Sequence, residues 1–167
     1  DSEYVLLMDA DNSIKLSEII RDLPLIDGYD VLLFNRYSKE ADIPFMRWFF
    51  SRSFNLLIRA LLRIDLRDTQ TGYKVFRDEV FKSAIKRGSI SNAFYDVAML
   101  YYIKKSGGKI REAKTHYMYD RGSKFHPVVL AFTFGISLIA FIIRNSPFYH
   151  IVPEWAKKVY YKKFKCI

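Results

Sequence analysis

Residues 4–34, YVLLMDADNSIKLSEIIRDLPLIDGYDVLLF, read as a strand, a helix and a second strand in succession. Tyr4 to Met8 is a continuous apolar run, the pattern of a strand buried on both faces, and it ends at the acidic pair Asp9 and Asp11. Behind Ser13, which can cap a helix, Leu16, Ile19, Ile20 and Leu23 recur at helical spacing until Pro24 and Asp27-Gly28 stop them. Asp30 to Phe34 is again a buried strand. Two apolar strands joined by one short helix predict a parallel α/β sheet.

Outward from that unit, Pro44 opens a helix that runs to about Ile64 and carries Phe45, Trp48, Phe49, Phe50, Phe54 and a leucine-rich second half. At 100° per residue Arg52, Arg59 and Arg63 fall within a sector of about 40°, while Arg47 and Ser51 project together elsewhere. This is either an aromatic helix on a membrane surface or a core helix whose arginines face water. Asp65 to Gly72 reads as a polar turn, Tyr73 to Arg77 as a strand and Asp78 to Lys86 as a helix stopped by Gly88. Asp96 to Ser106 follows as a helix ended by Gly107-Gly108, and Lys109 to Tyr119 as a strand. Val128 to Ile143 is then a run of sixteen residues without a charge, just short of the ~20 of a spanning helix. It suits a short span, a re-entrant or interfacial helix, or a buried core helix. The tail beyond it interleaves Lys157, Lys158, Lys162, Lys163 and Lys165 with Trp155, Tyr160, Tyr161 and Phe164, a mixture that an anionic leaflet attracts.

Composition narrows the class. The 167 residues are 50% hydrophobic and 27% charged, which excludes a disordered chain, and seven Gly with five Pro exclude a collagen-like or linker-rich one. A single cysteine, Cys166, allows neither a disulfide framework nor a cysteine-based metal site, and a reducing compartment is the default. His116, His126 and His150 lack metal-like spacing. The net charge of +9 permits nucleic-acid binding, yet much of the excess lies beside apolar sequence and no nucleic-acid motif is present, so no nucleic-acid partner is expected. The chain opens on Asp1 and runs straight into an apolar strand, and is expected to be a piece of a longer protein.

Three polar segments carry possible chemistry. Asp9-Ala10-Asp11 ends a buried strand, where α/β sheets gather ligands; two carboxylates one residue apart either hold a hard divalent cation with a diphosphate or serve as turn and cap residues. Asp68-Thr69-Gln70-Thr71-Gly72-Tyr73-Lys74 joins a carboxylate, uncharged hydrogen-bonding groups and a lysine just before a strand. Asp120-Arg121-Gly122-Ser123-Lys124 offers two cations and a hydroxyl to phosphate oxygens.

Together with Arg36-Tyr37, these segments resemble, in order, the motifs of family 2 glycosyltransferases, most of all the polyprenyl-phosphate branch of dolichyl-phosphate mannose and glucose synthases. The resemblance runs over roughly residues 3 to 126 and is most specific at Asp68 to Lys74. It implies a partial GT-A (nucleotide-diphosphosugar transferase) α/β fold with a mainly parallel sheet over residues 1–125, followed over residues 126–167 by an apolar membrane-proximal helix and a basic aromatic tail. The implied reaction is inverting transfer of a hexose from GDP-mannose or UDP-glucose to polyprenyl or dolichyl phosphate, at the cytoplasmic face of a membrane. By position Asp9, Asp11 and Asp96 would be the catalytic carboxylates, with Asp9 and Asp11 on Mg²⁺ or Mn²⁺ and the donor diphosphate. Arg36, Arg47, Ser51, Arg121, Ser123 and Lys124 would hold the acceptor phosphate, and Asp68, Gln70 and Gly72 the donor sugar.

The sequence departs from that pattern in three places. The family's first βαβ portion, which holds the nucleoside, is absent, so either the sequence is a fragment or a separate chain completes the sheet and the donor site. Ser13 stands where the mannose synthases tend to carry a metal-assisting Gln, and Asp96-Val97-Ala98 lacks the second acidic residue usual there. The alternative is a non-catalytic membrane-associated subunit or remnant of such an enzyme.

Overall fold

The computed structural model describes residues 2–37, 43–87, 94–118 and 127–164. Strands β1 (Tyr4–Leu7), β2 (Val31–Asn35), β3 (Lys74–Arg77) and β4 (Ile110–Lys114) form one sheet in the order β1-β3-β2-β4. The strand–helix–strand reading of residues 4–34 holds, but the two strands are not neighbours. β3 enters between them and pairs antiparallel with both, Val5 and Val31 each lying opposite Phe76, while β2 and β4 pair in parallel. The mainly parallel sheet expected from the sequence is therefore a mixed one. Its physical reason is where the chain re-enters: after α2 (Phe45–Leu62) the polar segment from Asp65 to Gly72 returns at the end of the sheet where β1 and β2 finish, so β3 runs back against both before it turns directly into helix α3 (Asp78–Arg87).

Alternation along β2 divides the core. Val31 and Leu33 face Phe76 and the helices α2 (Phe45–Leu62), α3, α4 (Tyr95–Lys105) and α5 (Pro127–Arg144); Leu32 and Phe34 face Ile14, Val75 and α1 (Leu16–Asp22). The helix after the first strand begins later than Ser13 suggests. Asp11 Oδ1 accepts the Ser13 N–H at 3.0 Å, Asn12 takes a left-handed φ of 52°, and Lys15 occupies the capping position, so Ser13 is buried in the turn instead. A 3-10 turn over Leu23–Ile26, with Pro24 inside it, ends that helix. α2 ends at Arg63, which adopts φ 55°.

β4 stops at Lys114, short of the strand read to Tyr119, a residue outside those described, as is Gly88. Glu18 Oε2 accepts the Thr115 hydroxyl (2.9 Å) and the His116 N–H (3.2 Å), and the Met118 N–H goes to the Ser13 carbonyl, drawing the chain away from the sheet toward α1. In α5, Ser137, Leu138 and Phe141 are buried, with Phe134 against Phe54 of α2 and Phe141 against Phe94 and Tyr101. The opposite face exposes Phe132 and Ile139. The uncharged run is thus half core helix, and among the described residues no helix is long and apolar enough to cross a membrane. Beyond it lie a 3-10 turn (Pro147–Ile151) and helix α6 (Glu154–Phe164); Lys165 and Cys166 are outside the described residues.

Candidate active site

β1, β2 and β4 run in one direction, so the residues after them emerge along one edge of the sheet: Asp9 and Asp11 after β1, Arg36 and Tyr37 after β2, Thr115 after β4. The segment Asp65–Gly72, returning to start β3 between β1 and β2, lies at the same edge. Strand order alone therefore brings together three of the sequence segments singled out above.

Asp9 and Asp11 differ although one residue apart. The Asp11 carboxylate accepts the Ser13 N–H and, at 2.9 Å, the Tyr73 hydroxyl. Partial desolvation works to raise its pKa, but these hydrogen bonds outweigh it and hold Asp11 below the usual carboxylate range. Asp9 is exposed and has no such donor among the described residues; desolvation of its carboxyl and then the charges of Asp11 and Asp96 raise its pKa, against a smaller opposing pull from Lys74 and Arg36. The Tyr73 hydroxyl is pushed up to about 12 by desolvation and by Asp11. Gly72 closes on Asp9 from the other segment: a Cβ at Gly72 would stand 1.9 Å from Asp9 Oδ2, so the carboxylate occupies the space any other side chain needs.

Lys74 is fully buried, and its ammonium donates to the Thr71 carbonyl and, at 2.7 Å, to Asp96 Oδ1 at the start of α4. Asp68 is also fully buried. It accepts three hydrogen bonds from Arg36, from the backbone N–H (3.0 Å), Nε (2.9 Å) and Nη2 (2.8 Å), in the bidentate geometry that suits guanidinium and carboxylate. Desolvation opposes the charge on Asp68, but Arg36 outweighs it and the pKa is lowered; the Arg36 pKa is raised despite its own desolvation. The same turn is tied down twice more. Glu112 Oε1 accepts the N–H groups of Arg67 (2.9 Å) and Asp68 (3.1 Å), and Asn55 of α2, oriented by its hydrogen-bond network, donates to the Leu66 carbonyl (3.1 Å) and accepts the Thr69 N–H (2.9 Å).

The residues picked out from sequence thus fall into distinct places. Asp9, Asp11, Gly72 and Asp96 converge. Asp68 and Arg36 bind each other. Gln70 is half-buried in the same turn, and on α2 Arg47 is half-buried while the Ser51 hydroxyl meets that of Tyr37. Arg121, Ser123 and Lys124 lie outside the described residues. Tyr73 and Lys74 belong to the segment singled out from Asp68, without a role of their own, and Asn55 and Glu112 were not among the candidates; neither of these last two gives a local sign in the sequence.

A divalent cation finds few protein donors here. Among the described residues no group of three or more His, Cys, Asp or Glu side chains could hold a metal ion. Asp9 and Asp11 alone offer two carboxylates, with Asp11 Oδ1 already engaged, which fits a hard cation that draws its remaining ligands from water and substrate phosphates.

No protein-family model matches the chain. It is 35% identical to the glycosyltransferase AglD of Haloferax volcanii over 86 residues, a stretch that is 50% of this chain and 14% of that protein. The chain therefore spans only about one seventh of the relative it matches.

Proposed function

We propose that the chain takes part in glycosyl transfer, as an inverting glycosyltransferase moving mannose or glucose from a nucleotide sugar to polyprenyl or dolichyl phosphate. Similarity to a known glycosyltransferase supports glycosyl transfer in general. The observation that carries the finer reading is the contact of Gly72 with Asp9, because it joins two motif segments more than sixty residues apart at the C-terminal edge of the sheet.

In this reading Asp9 and Asp11 would hold Mg²⁺ or Mn²⁺ against the donor diphosphate, which neutralises charge on the leaving group. A phosphate monoester is already anionic at neutral pH and attacks the anomeric carbon without a general base. What the protein supplies is placement of one anion beside another. Arg47 and Ser51, with Arg121, Ser123 and Lys124, would hold the acceptor phosphate, and Lys74 orients Asp96 beside Asp9. Arg36 has two of its guanidinium nitrogens on Asp68, so its share in holding phosphate falls to the remaining one. Exposed apolar residues on α2 and α5, among them Phe45 at 72% and Phe132 at 71%, support association with the membrane that carries such a lipid; its cytoplasmic face is part of the proposed reading.

The alternative, a non-catalytic membrane-associated subunit or remnant, draws on one observation: among the described residues the outer edge of β1 is unpaired, where a further strand, from a separate chain or from the rest of the protein, would complete the sheet. One assay divides the two. The native gene product, in membranes with polyprenyl phosphate and Mg²⁺ or Mn²⁺, transfers labelled mannose or glucose to lipid, and Asp9→Ala and Arg47→Ala each abolish the transfer. No transfer from either donor leaves the subunit reading in front.

A further inference from the structure

Beside the edge strand β4 lies a cleft of about 910 Å³ that none of the roles above uses. It opens between α1, α2 and the ends of β2 and β4, and its size is that of a small-molecule site. Its lining is strongly cationic. Arg52 comes from α2, Arg67 from the turn before β3 and Lys114 from the last residue of β4, and none of the three forms an ion pair among the described residues. Two further arginines at the rim are already matched, Arg21 to Asp22 at 2.8 Å and Arg59 to Asp65 at 2.6 Å. Among the described residues Glu18 is the one carboxylate in the lining, and Thr115 and His116 occupy it with hydrogen bonds.

The cations are also positioned. The Arg52 guanidinium stands 5.0 Å over the ring of Tyr37, whose hydroxyl is tied to Ser51, and the Arg67 backbone is held by Glu112. Trp48 forms part of the wall and continues into the stacked rings of Phe45 and Phe49. Neither Asp9 nor Asp11 lines the cleft; three strand spacings, about 14 Å, separate β1 from β4.

We propose that this cleft is a second anion site, independent of Asp9 and Asp11, for a ligand carrying two or more phosphate groups. Three cations from three separate elements, without an ion-pair partner among the described residues and in a space much larger than one phosphate, call for that charge. The phosphates come either from a soluble di- or polyphosphate or from anionic lipid head groups that reach the cleft past Trp48. The site goes beyond the glycosyl-transfer reading and does not depend on it.

The test is equilibrium binding of inorganic pyrophosphate to the full chain in EDTA, which silences any metal-dependent site. Saturable binding is expected, at least tenfold weaker in Arg52→Gln/Lys114→Gln and unchanged in Asp9→Ala. Lys82→Gln/Lys86→Gln on α3 removes the same charge elsewhere and leaves binding intact. If the cleft pair melts markedly lower than the wild type, Arg67→Gln, at an exposed side chain, takes its place. Vesicles of phosphatidylcholine with and without phosphatidylglycerol then separate the sources. Loss of phosphatidylglycerol-dependent binding in the cleft variant, with competition by pyrophosphate, assigns lipid head groups; unchanged vesicle binding with lost pyrophosphate binding assigns a soluble ligand. Absence of saturable pyrophosphate binding, or an equal loss in the α3 control pair, overturns the proposal.

Discussion

The turn from Asp65 to Gly72 meets two very different surroundings at its two ends. At Asp68 every carboxylate oxygen is matched: Arg36 clamps both, Asn55 and Glu112 secure the adjacent backbone, and water is excluded. At Gly72 the turn lies against Asp9, an exposed carboxylate crowded by Asp11 and Asp96. One end is a satisfied knot; at the other, three carboxylates gather about one ammonium, that of Lys74, which pairs with Asp96. Their adjacency is instructive, because a site that gathers repelling groups needs a rigid neighbour to hold them, and here one short segment supplies both.

The largest effect follows from cutting the knot. Asp68→Ala leaves Arg36 without its partner, and removal of one member of a buried pair costs roughly 3–5 kcal/mol, toward the lower figure here because the Arg36 side chain is 16% exposed. Denaturant melts check this, and Arg36→Met/Asp68→Leu is expected to lose less than Asp68→Ala alone. The pH dependence has a definite sign. The Asp68 pKa is lowered in the folded protein, so the stabilisation is fully present above the unfolded carboxyl value of ~3.9 and disappears as pH falls through the folded value beneath it. Asp68→Asn flattens that acid limb; an unchanged limb in the variant would mean that Asp68 is not the group responsible.

A smaller change in stability and a larger one in binding are expected at the open end. In Gly72→Ala the new methyl displaces the Asp9 carboxylate, which is exposed and swings into water, so the cost to folding stays below about 1 kcal/mol. If Asp9 holds a metal against a nucleotide sugar as proposed, metal-dependent binding of that donor is expected to fall at least tenfold in titration calorimetry of the native gene product. Retained affinity in Gly72→Ala would show that Asp9 acts from a different position, and the comparison between the two ends would lose its functional half.

What the sequence revealed followed from local pattern. The apolar runs at Tyr4 and Val31, the helical repeat from Phe45 and the uncharged run from Val128 all became elements at or near the expected residues. What it hid depends on order in space. The entry of β3 between β1 and β2 leaves no trace in either strand, yet it decides that Gly72 reaches Asp9 and that Lys74 reaches Asp96. The Arg36–Asp68 pair spans 32 residues and joins side chains assigned by resemblance to opposite substrates. The arginines of α2 were legible as a stripe, but Arg52 becomes part of a cleft because parallel pairing of β4 on β2 carries Lys114 to the same edge.

The smallest expected effect is also the most discriminating between the two ends. Asp9 has a raised pKa, so its folded form favours the proton and its charge opposes folding at neutral pH, the reverse of Asp68. Asp9→Asn removes that charge without removing the side chain's shape. It is expected to raise the melting temperature at pH 7 by less than about 3 °C, since the group is exposed and screened. The gain vanishes below the unfolded carboxyl value of ~3.9, where wild-type Asp9 is itself neutral. A lower melting temperature for Asp9→Asn at pH 7 would mean that Lys74 and Arg36 already outweigh Asp11 and Asp96 around it, and the open end would then be as satisfied as the knot.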